Sequence, residues 1–309
     1  MSRRRLVIVT MCVFYTLGCS AEELAEQPSA QALEQYRAHS VASDPGEHRD
    51  MYSGLPDSWE DLCRVVKHQL IHPLDLAKFE DELGREWRFE DLEFADTRSM
   101  LSVLAERGGA ELSLARAPQE RLVVACWHHA LLLTSILRHQ NVPVRMRAGF
   151  ARYIGRDSGL HVGHVICEVW DESSNRWFLV DPDREIVNVR RRDFEFASEA
   201  WDALRGGSDV SGYRSAHYEG AAAIVHLLTL DMRSVLREEL PYWYDPDIVE
   251  LASRGVSALD PDHVELLDGV ASRMKRADAS LDELESLKGS NAALKEIDHS
   301  EEMRLHLPN

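Results

Sequence analysis

An apolar run at helical spacing, Val123 to Leu137, ends at Asn141-Val142-Pro143, and beyond that break the period of the chain changes. Val144 to Tyr153 reads as a strand, Gly155-Arg156-Asp157-Ser158-Gly159 as a loop and His161 to Trp170 as a second strand. Asp171 to Asn175 then reads as a turn and Arg176 to Val180 as a third strand. A helix that must bury its apolar face, followed by strands joined through short turns, restricts this stretch to an α+β unit. The three strands, joined by short turns, are expected to be antiparallel.

Both flanks read as helical. Ser58 with Asp61 resembles a capping box, ahead of Leu62, Val65, Val66 and Leu70 at helical spacing, and His72-Pro73 ends that segment. Thr97 to Glu106 is a second helical stretch, stopped by Gly108-Gly109. After Phe194 the candidates are Glu199 to Arg205, Gly220 to Leu230, Met232 to Leu240, Pro246 to Arg254 and Pro261 to Arg276, with an amphipathic, charged Leu281 to Leu294. The expected organisation is a leader over 1–19, a polar linker over 20–57, an N-terminal helical region over 58–115, a core over 116–198 and a C-terminal helical region over 199–309.

The chain has 309 residues, 44% of them hydrophobic, enough to bury a sizeable core. Its formal net charge of −18 repels phosphate backbones, and no basic cluster offsets it, so nucleic acid is excluded as an expected partner. At the N-terminus, Arg3-Arg4-Arg5 precedes an apolar run from Leu6 to Leu17, too short for an ordinary membrane span but suited to a signal peptide. Thr16-Leu17-Gly18-Cys19 resembles a bacterial lipobox in which Cys19 would be acylated, which would make a lipid anchor the only membrane attachment. The expectation is export to the cell envelope or beyond. In the alternative, translation begins further on, near Tyr36, and the protein is cytoplasmic.

Of the five cysteines, Cys12 and Cys19 fall in the leader. Cys63, Cys126 and Cys167 have no CxxC spacing and no paired framework, which argues against a zinc ribbon or a disulfide scaffold and leaves room for one reactive thiol. A Cys63–Cys167 disulfide would be compatible with export but has no support in the spacing. Cys126 stands where the apolar helix begins, and the free N–H groups and dipole of a helix N-terminus favour a thiolate. His161 and His164 follow on the second strand, Asp181 and Asp183 after the third. A thiol, an imidazole to take its proton and a carboxylate to orient the imidazole are the set that nucleophilic acyl chemistry requires.

These residues sit in motifs with a family resemblance. Cys126-Trp127 with Ala130, Leu137-Arg138, Val142-Pro143-Val144-Arg145 and Gly149-Phe150 resembles the core motif of bacterial transglutaminase-like domains. His164-Val165-Ile166-Cys167-Glu168-Val169-Trp170 resembles the family's His strand, and Arg176-Trp177-Phe178-Leu179-Val180-Asp181-Pro182 its Trp…Asp-Pro segment. Ala125, Trp127, Gly163 and Val165 depart from the commoner bacterial residues, which bears on specificity more than on the triad. The resemblance implies a papain-like fold with Cys126 as nucleophile, His164 as base and acid, and Asp181 as orienter. Strand alternation places His164, Ile166 and Glu168 on one face and His161 on the other, and Glu168 matches the family's Glu. No cofactor and no metal are implied.

The resemblance implies acyl transfer through a Cys126 thioester, with an amide- or acyl-bearing peptide or small molecule as donor and an amine as acceptor. A cysteine peptidase or amidase would use the same triad with water as acceptor, and a binding module could keep the fold without the chemistry. Other features have simpler expected roles. His68 and His72, spaced i,i+4, are expected to be structural residues on a helix face, and His128 and His129 to be structural. Asp183 is expected to serve a turn, and Tyr242-Trp243-Tyr244 to serve packing.

Overall fold

The computed structural model describes residues 27–83, 89–155 and 158–304. The expected leader, with Cys12 and Cys19, lies outside the described residues. The chain opens with α1 (Ala30–Arg37) and α2 (Trp59–Gln69), passes through the two-residue strand β1 (Leu70–Ile71) and the short α3 (Glu80–Leu83), and continues into α4 (Thr97–Gly108) and β2 (Leu122–Val123). The central unit is α5 (Cys126–His139), β3 (Val144–Ala151), β4 (His161–Asp171), β5 (Arg176–Asp181), β6 (Ile186–Val187) and β7 (Phe194–Phe196). There follow α6 (Ala197–Arg205), β8 (Tyr213–Ser215), β9 (Tyr218–Glu219), α7 (Ala221–Val235), β10 (Tyr244–Pro246), α8 (Asp247–Ser253), α9 (Pro261–Met274), α10 (Leu281–Ser290), β11 (Glu296–Asp298) and α11 (Ser300–Arg304).

The sheet runs β6-β5-β4-β3-β7 with antiparallel neighbours, and β8 adds in parallel to the first residues of β4. Val144 pairs with Val169 and Gly149 with His164, so the hairpin register runs through the expected strands. Helix α5 lies against this sheet, burying Leu131, Leu132, Leu133, Ile136 and Leu137 completely. At about 1.5–3 kcal/mol per buried aliphatic side chain, this face is a large share of what holds helix to sheet. The architecture is α+β, with the Cys126 helix packed on an antiparallel sheet and additional helices on both sides.

Three expectations change. Residues 27–57 are not a loose polar linker: Tyr36 is fully buried and donates from its hydroxyl to the Val235 carbonyl, while Met51 and Tyr52 join the main core. Burying such aromatic area repays the ordering of a polar-looking segment. The region after 199 is not purely helical, since β8 and β9 extend the central sheet and β10 pairs with β11. These strands are two or three residues long and carry no readable period. Finally, Gly220 to Leu230 and Met232 to Leu240 do not form two helices that meet at Asp231. They merge into α7, because Asp231 turns inward, fully buried, onto Arg147 and the Ala148 N–H.

That inward turn covers part of an edge. Strand β7 pairs with β3 over Gly149–Ala151, and Asp231 accepts the Ala148 N–H at 2.8 Å just beyond it. Gly149 permits the approach of β7, since a Cβ there would stand 2.3 Å from the Glu195 carbonyl oxygen. Arg147 meets Asp231 through two bonds of 2.9 and 3.0 Å and meets Glu168 at 2.8 Å, while Arg145 bridges Glu168 at 2.6 Å and Asp278 at 2.6 Å. The C-terminal helices are therefore tied to the sheet by buried, charge-assisted bonds as well as by apolar packing.

Candidate active site

Three separate segments position the thiol. Strands β1 and β2 pair in parallel, Leu70 with Leu122 and Ile71 with Val123, and the Val124 N–H donates to the Ile71 carbonyl at 3.0 Å. The Ala125 N–H donates to Asp91 Oδ1 at 2.7 Å. Helix α5 begins at the next residue, Cys126, which is partly exposed. The first N–H groups of a helix have no carbonyl acceptor within it, so the backbone here presents donors and the positive end of a dipole to the sulfur.

His164 is 2% exposed on β4, and its Nε2 lies 2.8 Å from Asp181 Oδ2 at the end of β5. That leaves Nδ1 free of Asp181, and the nearby Cys126 sulfur acts with Asp181 on the His164 pKa. Asp181 is fully buried and accepts two further bonds, from the Tyr153 hydroxyl to Oδ2 at 2.7 Å and from the Arg184 N–H to Oδ1 at 3.0 Å. The structure thus brings Cys126, His164 and Asp181 into one chain of contacts. His161 lies outside it, 3.2 Å from Glu195 and stacked on Tyr213.

The electrostatics follow from this chain. Burial alone would raise the Cys126 pKa, but the charge of His164, its hydrogen bond, and contact with His72 bring the thiol down to about 6. Burial opposes protonation of His164, yet the Asp181 carboxylate and the Cys126 sulfur raise its pKa well above the ordinary imidazole range. Burial also works against the Asp181 charge and is outweighed by His164. Each partner thus shifts the other towards the charged form, so the pair favours a thiolate facing an imidazolium. Cys63 and Cys167 are free thiols and form no disulfide. Burial drives the Cys63 pKa upward and pushes that of Cys167 up to about 12.

His72 belongs to the site, contrary to its expected place on a helix face. Helix α2 ends at Gln69, and His72 follows β1, half-buried and near enough to Cys126 to lower its pKa. Its Nδ1 accepts the Leu74 N–H at 3.1 Å, so the neutral ring carries its proton on Nε2. No short-range pattern could have found this residue, because the β1–β2 ladder alone brings it to the thiol. Tyr153, at the end of the β3 segment, carries no motif either. His128 and His129 are fully buried and structural: one contacts the Phe94 carbonyl at 3.1 Å, the other the Ala125 carbonyl at 3.1 Å. Asp183 lies in the turn as expected, but it is buried and ion-paired with Lys67 at 3.2 Å.

Asp91 supports the start of the helix from below. It is fully buried, and burial raises its pKa to about 8 against the opposing bonds from Tyr242 and Ala125. Burial disfavours its charge, while the Ala125 N–H and the Tyr242 hydroxyl, one on each oxygen, favour it. Gly163 immediately precedes His164 on β4. A Cβ there would meet the Ser215 Cβ at 2.8 Å and the Arg214 carbonyl oxygen at 2.9 Å, so β8 fills the space that a larger residue would need.

Residues 115–182 match the family model described as the transglutaminase-like superfamily, a span that contains Cys126, His164 and Asp181. Comparison with curated proteins and comparison with solved structures each found no match. The chain carries a transglutaminase-like core over that span, and most of its length lies outside the match.

Proposed function

Starting from this transglutaminase-like core, we propose that the protein is a thiol-dependent acyltransferase that works through a Cys126 thioester. The observation that carries the reading is the contact chain from Cys126 through His164 to Asp181 at the N-terminus of α5. The Cys126 thiolate attacks the carbonyl carbon of a carboxamide, forming the C–S bond and a tetrahedral oxyanion. The Cys126 backbone N–H and the His72 Nε2–H stabilise that oxyanion, as donors placed where charge develops. The protonated His164 gives its proton to the leaving nitrogen, ammonia departs, and the thioester remains. An incoming amine attacks the thioester, His164 takes its proton, the amide forms and the Cys126 thiolate is released.

Asp181 keeps the imidazole in its orientation and stabilises its cation, and Tyr153 and the Arg184 N–H hold Asp181 in turn. Hydrolysis by the same triad differs in the last step alone, where water takes the acyl group. The leader, Arg3-Arg4-Arg5 followed by the apolar run Leu6 to Leu17, supports the reading that the protein acts after export, which the mass of the mature N-terminus tests: an intact Met1 would overturn it.

The deciding experiment is intact mass measurement of the full protein incubated with glutamine peptides, with and without a primary amine. The expected result is an adduct on Cys126 equal to the peptide minus ammonia, discharged by the amine to give an amide product. Discharge to the free acid even with amine in excess would favour the hydrolase. A protein that forms no adduct with any donor, and whose Cys126→Ala variant keeps its biological effect, would be a binding module.

A further inference from the structure

Resting on the reading of Cys126 as an acyl nucleophile, we propose that Asp91 and Tyr242 are positioning residues for that chemistry. Asp91 fixes the backbone that carries the Cys126 thiol and N–H, and Tyr242 fixes Asp91 from the C-terminal region. The need arises at the helix start. Ala125 is the N-cap of α5, and an alanine side chain can accept nothing from the free N–H groups there. The chain around it is held by other groups. The Val124 N–H donates to the Ile71 carbonyl, and the Ala125 N–H to Asp91 Oδ1 at 2.7 Å. The Ala125 carbonyl accepts the His128 N–H at 3.1 Å and lies 3.1 Å from His129 Nδ1. Of these bonds, the one to Asp91 alone comes from a side chain outside α5.

Asp91 is itself held on every side. It is fully buried in the one-turn helix Asp91–Glu93. Its neighbour Glu90 donates its N–H to the Val123 carbonyl at 2.9 Å and accepts the Val123 N–H on Oε2 at 3.0 Å. Among the described residues each Asp91 oxygen has one donor, the Ala125 N–H on Oδ1 and the Tyr242 hydroxyl on Oδ2. His128 Nδ1, 3.9 Å from Oδ1, is beyond hydrogen-bond reach. Tyr242 lies two residues ahead of β10, which pairs with β11, and the His299 N–H closes that ladder on the Trp243 carbonyl at 3.0 Å. Arg304 of α11 grips the same turn, with Nη2 donating to the Leu92 carbonyl at 3.0 Å and Nη1 to Glu93 at 3.2 Å. The C-terminal region thus holds the Asp91 turn at three points.

The thiol is near enough for its charge to act on both Asp91 and Tyr242. Neither side chain touches the acyl group or moves a proton; their effect is geometric. Without Asp91 the Ala125 N–H loses its acceptor and the backbone ahead of Cys126 is free to turn. That rotation carries the sulfur and the Cys126 N–H off their line to the substrate carbonyl, and a displacement of ~1 Å can cost ~10²-fold in rate. The line from Tyr242 through Asp91 to Ala125 makes the C-terminal region, outside the matched span 115–182, a working part of the site.

Two reactions of Cys126 separate position from reactivity. Alkylation by iodoacetamide needs only a reachable thiolate. Acylation by p-nitrophenyl acetate also needs aligned oxyanion donors: the sulfur bonds to the carbonyl carbon, the ester C–O bond breaks, and p-nitrophenolate leaves with the electron pair. In the full protein, Asp91→Ala should slow the p-nitrophenolate burst ~10–100-fold, while Cys126 alkylation changes severalfold at most. Asp91→Asn, which keeps an acceptor for the Ala125 N–H, should recover most of the burst rate. Tyr242→Phe should slow the burst severalfold alone and add nothing to Asp91→Ala, because Tyr242 acts through Asp91. An undiminished burst in Asp91→Ala, losses that multiply in the double variant, or alkylation that falls in step with the burst would overturn the proposal. So would a slowed burst accompanied by labelling of Cys63 and Cys167, which reports a general loosening. Should Asp91→Ala fail to fold, Tyr242→Phe decides: a slowed burst with alkylation intact supports the pair, and an unchanged burst overturns it. A wild-type protein acylated by the ester but by no carboxamide would retire the proposed acyl donor and leave the positioning pair standing. A wild type acylated by neither would overturn both.

Discussion

His72 stands against Cys126 because the residues just before them are paired: Ile71 lies beside Val123 in the parallel β1–β2 ladder, and the Val124 N–H donates to the Ile71 carbonyl. The ladder is two residues long on each side, yet it sets the distance between a second imidazole and the nucleophile. The Leu74 N–H on His72 Nδ1 then directs the proton of the neutral ring to Nε2. In the proposed mechanism this N–H, which also helps to lower the Cys126 pKa, is the second donor to the developing oxyanion.

His72→Ala should therefore slow formation of the acyl-enzyme by about 10²–10³-fold, the range associated with losing one oxyanion donor. His72→Gln, which restores an N–H donor, should recover part of the rate. Stopped-flow or quenched mass measurement of adduct formation checks both. Equal rates for wild type and His72→Ala would remove His72 from the mechanism.

The pH dependence of thiol reactivity has a definite sign. A thiol whose pKa is lowered to about 6 is mostly thiolate at neutral pH, so alkylation of Cys126 should rise through about pH 6 instead of near the ordinary ~8.5. At low pH protonation of the thiolate abolishes reactivity, and at high pH loss of the His164 proton ends general-acid catalysis. In His164→Ala the alkylation midpoint should move up towards the ordinary thiol range. Cys63 and Cys167, buried and with raised pKa values, should stay unlabelled until the protein unfolds. Labelling of all three thiols at one rate in the native state would contradict this assignment.

The buried pair between Arg147 and Asp231 couples the C-terminal helices to the sheet. Asp231→Ala leaves the Arg147 guanidinium with Glu168 alone and the Ala148 N–H without its acceptor. Urea denaturation should show a loss of about 3–5 kcal/mol, the cost of breaking a buried ion pair from one side. Asp231→Asn keeps an acceptor for the Ala148 N–H and should cost less. A change within about 0.5 kcal/mol for Asp231→Ala, the size expected of a surface substitution, would mean that α7 docks by apolar packing alone.

The central helix and its strands were legible from the chain because each is long enough to show a period: α5 buries its apolar face, and the strand faces alternate. His164 could be preferred over His161 by the same alternation, since neighbouring positions on a strand face opposite sides. The family motifs pointed to Cys126 and Asp181, and these residues do meet His164 in the fold. What the tertiary structure alone decided are the relationships that no local window contains. His72 reaches the thiol through a ladder too short to have a period. Asp91 lies under the helix start because a distant loop folds beneath it, and Tyr242 closes on Asp91 from a segment that reads simply as an aromatic cluster. Local sequence sets which backbone forms are favourable within a few residues. The placing of one imidazole or one buried carboxyl depends on long-range packing, where burial and neighbouring charge act on groups that the chain order leaves far apart.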